Sequence, residues 1–356
     1  MSKTAAALSS VIALTTLLAG CSTTPSAAPV APKAVPQNAA AMHTSHAKIK
    51  VGLVTDTGGL NDHSFNHLAF VGLQMAEKKW GVTGSVVQSA SAAAYVPNLT
   101  AYASQGYNLV IAVGYLMQDA VQKVAKQYPH TKFLIIDDQV PGSNIDSAIF
   151  ETQQCGYLVG LMAGLMNTQK HVHGINGRNT VGVIGGTQIP PVESYIAGFI
   201  AGVHHVDPKA KVLLNWANSY SDPASGTELA NQQISDGADI VFPVAGGTGN
   251  GVISAAAQKG VYAIGVDANQ NYLAPKTVMT SALKAVDVAT ETVIGTVVSG
   301  HFKGGTTYFD LKNHGVGYAP VIKAVPASIV KEVNSYIPKI ESGKIKIPAL
   351  LTQSTH

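Results

Sequence analysis

Ile49-Lys50-Val51-Gly52-Leu53-Val54-Thr55 is a β-branched, apolar run that leads into Asp56-Thr57-Gly58-Gly59-Leu60-Asn61-Asp62-His63, after which residues 64–80 take up helical spacing. Phe65, Leu68, Ala69, Gly72, Leu73 and Ala76 recur at intervals of three and four, which puts them on one face of a helix. A strand, a glycine-bearing turn and such a helix open a βαβ unit. The strand is apolar throughout rather than alternating, so it is expected in a parallel sheet covered on both faces.

The same order repeats along the chain. Strands are expected at 85–88, 109–113 and 133–137, with helices at 97–105 and about 117–128. After a helix over 153–166 a second series begins, with strands at 181–184, 212–215, 240–244 and 262–266 and helices at 191–204, 223–235 and 251–259. The helix over 285–298 and the strand-like stretch 306–311 come too late for that series and are expected to return to the first lobe. The fold class is therefore α/β, with two doubly wound parallel-sheet lobes. Residues 48–155 plus 285–356 are expected in the first lobe and 156–284 in the second. Such lobes meet in a central cleft at the C-terminal ends of their strands, where ligands usually sit.

The start of the chain reads differently. Lys3, the apolar run 5–18 and the close Leu18-Ala19-Gly20-Cys21 resemble a bacterial lipoprotein signal. Small residues let an extended chain enter a peptidase, and the Cys21 thiol then takes up lipid. The resemblance implies a signal peptide over 1–20 and a mature body held outside the cytoplasm on a membrane, inner or outer unspecified. Residues 21–47 are mostly Ser, Thr, Ala and Pro, a composition expected to act as a flexible leash. His43 and His46, at its end, read as ordinary linker residues.

About 310 residues follow, enough for two lobes of ordinary domain size. No second run of about 18 apolar residues is present to span a bilayer. Net charge is +3 without a Lys/Arg cluster, which argues against a nucleic-acid partner. Cys21 and Cys155 are the two cysteines; with the first lipidated, Cys155 is expected to be a buried, inert thiol.

Asp56-Thr57-Gly58-Gly59-Leu60-Asn61-Asp62-His63-Ser64-Phe65-Asn66 resembles the Asp-x-Gly-x-x-Asp-x-Ser-Phe-Asn signature of the basic membrane protein family, substrate-binding lipoproteins of ABC importers similar to purine nucleoside receptors. Further matches follow in order: Gly114-Tyr115-Leu116-Met117-Gln118-Asp119, then Gly182-Val183-Ile184-Gly185-Gly186 with Pro190-Pro191, then Gly198-Phe199-Ile200-Ala201-Gly202. Tyr220-Ser221-Asp222-Pro223, Gly246-Gly247-Thr248-Gly249, Ile264-Gly265-Val266-Asp267 and Thr280-Ser281-Ala282-Leu283-Lys284 complete the set. The resemblance implies a type I periplasmic-binding-protein fold that closes by a hinge, a nucleoside ligand of the purine kind, and a membrane permease as partner. A monomer is expected, without cofactor or metal, and without catalysis.

A nucleoside offers a flat base, polar base edges and a ribose diol. The resemblance gives Phe65 and Phe199, one per lobe, the role of sandwiching the base; spacing alone places both in the cores of their helices. Asp267, at the end of a strand, is the candidate for the diol, and Lys284 the cation that pairs with it or reaches the ribose. Asp56, Asn66 and Asp119 are candidates for the base edge, and Asp62 and Asp222 suit helix caps. The family often carries Asp-x-Asp-Gln where this chain has Asp267-Ala268-Asn269-Gln270, a change that bears on ligand preference.

Enzyme motifs are missing: no Gly-x-Ser-x-Gly, no His-Glu-x-x-His and no P-loop occur. Gly246-Gly247-Thr248-Gly249-Asn250-Gly251 resembles a phosphate turn but suits close helix packing better, and His171 and His173 have no third metal ligand near them. A secreted enzyme acting on nucleosides or sugars, and a sugar-binding or signalling surface lipoprotein, are the competing readings.

Overall fold

Residues 50–55 do form the first strand, and the remaining elements follow in the computed structural model, which describes residues 48–169 and 171–351. The signal-like segment with Cys21, the leash and both of its histidines lie outside the described residues. The first lobe is built from β1 (Lys50–Thr55), α1 (Phe65–Trp80), β2 (Thr83–Val87), α2 (Tyr95–Ser104), β3 (Leu109–Val113), α3 (Gln118–Gln127), β4 (Lys132–Ile136) and β5 (Ile145–Phe150). The second is built from α4 (Thr152–Asn167), β6 (Thr180–Gly185), α5 (Pro190–Val206), β7 (Lys211–Trp216), α6 (Pro223–Ser235), β8 (Ala238–Val244), α7 (Gly246–Lys259), β9 (Tyr262–Asp267) and β10 (Val278–Lys284). Four elements close the chain: α8 (Val286–Val298), β11 (Gly305–Phe309), β12 (Val316–Tyr318) and α9 (Ala327–Glu341).

The two sheets have matching orders, β11-β5-β4-β3-β1-β2 and β12-β10-β9-β8-β6-β7. All pairings in the first are parallel, and in the second only β12 runs antiparallel. Continuous apolar strands such as Leu109–Val113 and Phe133–Ile136 are fully buried, because helices cover both faces. Register then positions the site. Thr55 pairs with Val113, and Val113 with Ile136, so Asp56, Gly114 and Asp137 leave the first sheet side by side. Gly185 pairs with Val244 in the second sheet, which sets Gly186 beside Ala245.

The chain crosses between lobes three times: at Glu151, at Ala285 and through residues 310–315. The crossings are bonded to one another. Glu151 N–H donates to the Phe309 carbonyl at 2.8 Å, and Ala285 N–H to the Gly315 carbonyl at 2.9 Å.

The lobe boundaries differ from the expectation. α8 packs on α1 and β11 pairs with β5, so this part of 285–356 lies on the first lobe. β12, however, pairs with Ala282–Lys284 of β10, and α9 packs against α4, so these elements belong to the second lobe. A three-residue strand flanked by Gly315 has no periodicity to read. The boundary expected at 155/156 falls inside α4, which packs on α5 along its length.

That helix pair is set by glycine. A Cβ added at Gly156 or Gly160 would lie 2.3 or 2.2 Å from the carbonyl oxygens of Tyr195 and Phe199, and one at Gly202 would lie 2.2 Å from that of Tyr157. α7 starts at Gly246 rather than at 251, so the glycine-rich stretch is its first turns. Gly251 there faces the Pro223 carbonyl of α6, where a Cβ would lie at 1.8 Å, and Gly226 of α6 faces Thr248. Close helix packing thus accounts for these glycines.

Candidate functional site

The C-terminal ends of β1, β3, β4, β8, β9 and β10 converge on a cavity with about 560 Å³ of empty space, counting the part continuous with solvent. Asp137, just after β4, and Asp267, the last residue of β9, sit at the ends of equivalent strands of the two sheets and share a left-handed backbone, with φ of 73° and 60°. Non-glycine residues rarely adopt it, and such strain concentrates at functional sites.

Three polar clusters line the cavity. In the first, Asn66 Nδ2 donates to Asp56 Oδ1 at 2.7 Å and to Asp62 Oδ2 at 3.1 Å, while its own Oδ1 accepts from the Asp56 N–H at 3.1 Å. Asp62 also accepts from the backbone N–H groups of Ser64, Asn66 and His67, so its side chain satisfies first-turn donors of α1 from two residues outside the N-cap position, Ser64. Asp222 caps α6 through the Ser225 N–H at 3.1 Å. In the second cluster, Asp267 Oδ2 accepts from Ser64 Oγ at 2.6 Å and Oδ1 from the Tyr195 hydroxyl at 2.9 Å. In the third, Lys284 Nζ forms a buried ion pair with Asp137 across the lobes. The ammonium also sits 4.6 Å from the ring centre of Phe65 and 6.0 Å from that of Tyr195.

Burial decides the titration here. It pushes the Asp56 carboxyl up to about 6, against hydrogen bonds from Asn66 and Gly58 that pull it down. It also raises Asp62, opposed by the N–H groups that donate to it, and Asp137, opposed by Lys284. The Tyr195 hydroxyl is held well above its ordinary value by burial and then by Asp267. Burial lifts the Cys155 thiol to about 12, consistent with an inert core group.

Folded Asp56 keeps its proton between the ordinary 3.8 and about 6, where the unfolded chain has lost it. Its ionisation therefore removes stability as pH rises through that window. Asp56→Asn keeps an oxygen for Asn66 and Gly58 without the charge. The variant is expected to exceed the wild type by about 1–3 kcal/mol at pH 7 in urea unfolding, with the gain fading toward pH 4. A pH-independent difference would contradict this account.

Of the residues singled out in the sequence, Asp56, Phe65, Asn66, Asp267 and Lys284 all line the cavity. Phe199 does not: it is fully buried, with its ring centre 5.2 Å from that of Phe242. Tyr195, one helical turn earlier on α5, takes the position facing the cavity. Asp119 is exposed in the first turn of α3, outside the cavity lining. Lys284 pairs with Asp137, not with Asp267. Asp137, Ser64 and Tyr195 were not singled out. Asp137 carried a signal, as an acid closing a strand in the manner of Asp267.

Tyr220 adds a further aromatic wall. Its hydroxyl lies 2.7 Å from Thr187 Oγ1, and its ring fits because Gly186 has no Cβ, which would come within 2.2 Å of it. At the mouth the lobes touch directly: Gln270 Nε2 donates to the His63 carbonyl at 3.1 Å, and the Tyr272 hydroxyl lies 3.0 Å from His63 Nδ1. Among the described residues no group of three or more His, Cys, Asp or Glu side chains is placed to hold a metal ion.

Two doubly wound lobes, bonded crossings behind and a polar cavity between them define a two-lobed solute-binding protein. The family model described as ABC transporter substrate-binding protein PnrA-like matches residues 49–350, and the chain belongs to that family. It is similar to the CD4+ T-cell-stimulating antigen of Listeria monocytogenes, with 35% identity over 321 residues covering 84% of this chain and 87% of that protein. It is also similar to the ABC transporter nucleoside-binding protein BmpA of Lactococcus lactis, with 32% identity over 327 residues covering 85% and 89%. Among solved structures, an ABC transporter solute-binding protein from Aeropyrum pernix superposes with a TM-score of 0.78 at 28% identity, covering 86% of this chain and 94% of that one. The expected two-lobed α/β fold and the family resemblance both hold.

Proposed function

We propose that this chain is the nucleoside receptor of an ABC importer, lipid-anchored outside the cytoplasm through Cys21, and that it delivers its cargo to a membrane permease. The observation that carries this reading is the pair of rings, Phe65 and Tyr195, lining one cavity from opposite lobes together with the carboxyls of Asp56 and Asp267. A base stacks against the rings. Asp56 and Asn66, from the first lobe, meet its edge. Asp267 accepts from the ribose hydroxyls, and Lys284 fixes Asp137 beside them.

Charge narrows the ligand further. Among the described residues lining the cavity, Lys284 is the one cation, set against the carboxyls of Asp56, Asp62, Asp137 and Asp267. A phosphate would meet net negative charge in a desolvated space. Neutral nucleosides are therefore expected to bind and nucleotides to be refused.

A thermal-shift screen of the body from residue 48, with guanosine, inosine, adenosine, their monophosphates, free bases and pentoses, tests this. A nucleoside at about 100 times its Kd stabilises by about 2.7 kcal/mol, a rise of about 5 °C. The monophosphates are expected to give no shift, and Phe65→Ala to weaken the nucleoside about 10- to 100-fold. A response to pentoses alone would replace the reading with sugar binding, and release of free base would replace it with catalysis.

A further inference from the structure

We infer that Tyr195 makes the site tolerant of deoxyribose, so that it accepts 2′- and 3′-deoxynucleosides nearly as well as ribonucleosides; the inference rests on the nucleoside reading above. The observation is that Asp267, the candidate diol acceptor, already has a protein donor on each oxygen. Ser64 Oγ is 2.6 Å from Oδ2 and the Tyr195 hydroxyl 2.9 Å from Oδ1. Both residues come from outside the Asp267 strand, one from each lobe.

Neither side chain is free to swing away. Tyr195 is 2% exposed, and its ring packs edge-on against Phe242 at 6.3 Å in the core of the second lobe. Its hydroxyl has Asp267 as its hydrogen-bond acceptor. Ser64 is fully buried; its Oγ also has the Val266 carbonyl at 3.2 Å, so Tyr195 is the donor committed to Asp267 alone.

Selectivity against a missing hydroxyl arises when its loss orphans a buried partner. Sites of that kind reject the hydroxyl-free analogue by about 10⁴-fold or more. A carboxylate oxygen can accept two hydrogen bonds, so a ribose hydroxyl can share each oxygen with the protein donor. When the ligand hydroxyl is absent, the protein donor remains and no oxygen is left bare.

Titration calorimetry of guanosine, 2′-deoxyguanosine and 3′-deoxyguanosine on the wild type and on Tyr195→Phe tests this, with inosine and adenosine and their deoxy forms measured in parallel. The wild-type deoxy-to-ribo Kd ratio is expected to stay within about tenfold. Tyr195→Phe keeps the ring and removes the donor. Its ratio is expected to widen at least about tenfold, because deoxynucleoside binding falls further than ribonucleoside binding does. A wild-type ratio above about 10³ overturns the inference without recourse to the variant. So does a ratio that Tyr195→Phe leaves unchanged, and in both cases the nucleoside reading stands. Failure of every ribo- and deoxynucleoside to bind overturns that reading, and the inference with it.

Discussion

Lys284→Met is expected to lower the stability of the ligand-free protein by about 3–5 kcal/mol at pH 7, the range found when one partner of a buried ion pair is removed. The side chains of Lys284 and Asp137 are 2% and 8% exposed, so water cannot take the place of the lost ammonium. Asp137 is already raised by burial, with Lys284 the main influence holding it down. Without the lysine the folded carboxyl holds its proton still more tightly than the unfolded one. The folded state then binds more protons, so the deficit shrinks as pH falls and the carboxyl is neutralised. Adding Asp137→Asn, a residue that tolerates the left-handed backbone at 137, should return most of the stability. Urea unfolding of the three proteins across pH 4–8 is the measurement. A loss equal at every pH, or one the second substitution does not relieve, would remove the ion pair from the account. Nucleoside binding should fall in the same variant, because the pair joins the two lobes beside the Phe65 ring.

Gly160→Ala is expected to cost about 3 kcal/mol, the upper part of the usual overpacking range. In an exposed helix the same change would gain about 1 kcal/mol. Here the sign is set by the neighbour: the added Cβ would stand 2.2 Å from the Phe199 carbonyl oxygen, a backbone atom that cannot swing away. α4 and α5 would have to separate, and Tyr195 would leave the cavity wall with them. Gly317→Ala is the control, since a Cβ there meets no heavy atom within 4 Å, and its effect should be below about 0.5 kcal/mol. Equal melting temperatures for the two variants would refute the close-packing argument.

The sequence made the local parts of this molecule readable. Asp56, Phe65 and Asn66 share one strand–turn–helix segment, so one stretch of text carries them into the cavity. Strands β3 and β4 are buried on both faces and show it as unbroken apolar runs. Choosing between Tyr195 and Phe199 needed more. The residues are four apart on one face of an apolar helix, so periodicity treats them alike, and only depth along the helix axis separates them. The pairing of Lys284 with Asp137 and of Asp267 with Ser64 joins residues 147 and 203 positions apart, and it is made only once both lobes are assembled. β12 was hidden for another reason: three residues beside a glycine carry too short a pattern, and a partner strand supplies their geometry.

The three crossings at Glu151, Ala285 and 310–315 also restrict how the molecule can move. Two bodies joined at one point can rotate about three axes. Joined by three short neighbouring segments bonded to one another, they keep one easy axis, and twisting or sliding would stretch at least one tether. The jaws therefore follow a single arc. In the arrangement the structure shows, Ser64 meets Asp267 and His63 meets Tyr272, and motion along one arc would part and rejoin these contacts in the same register. Capture and release are then one coordinate travelled in two directions, and a membrane partner that pulls the lobes apart anywhere along their rims drives that same coordinate.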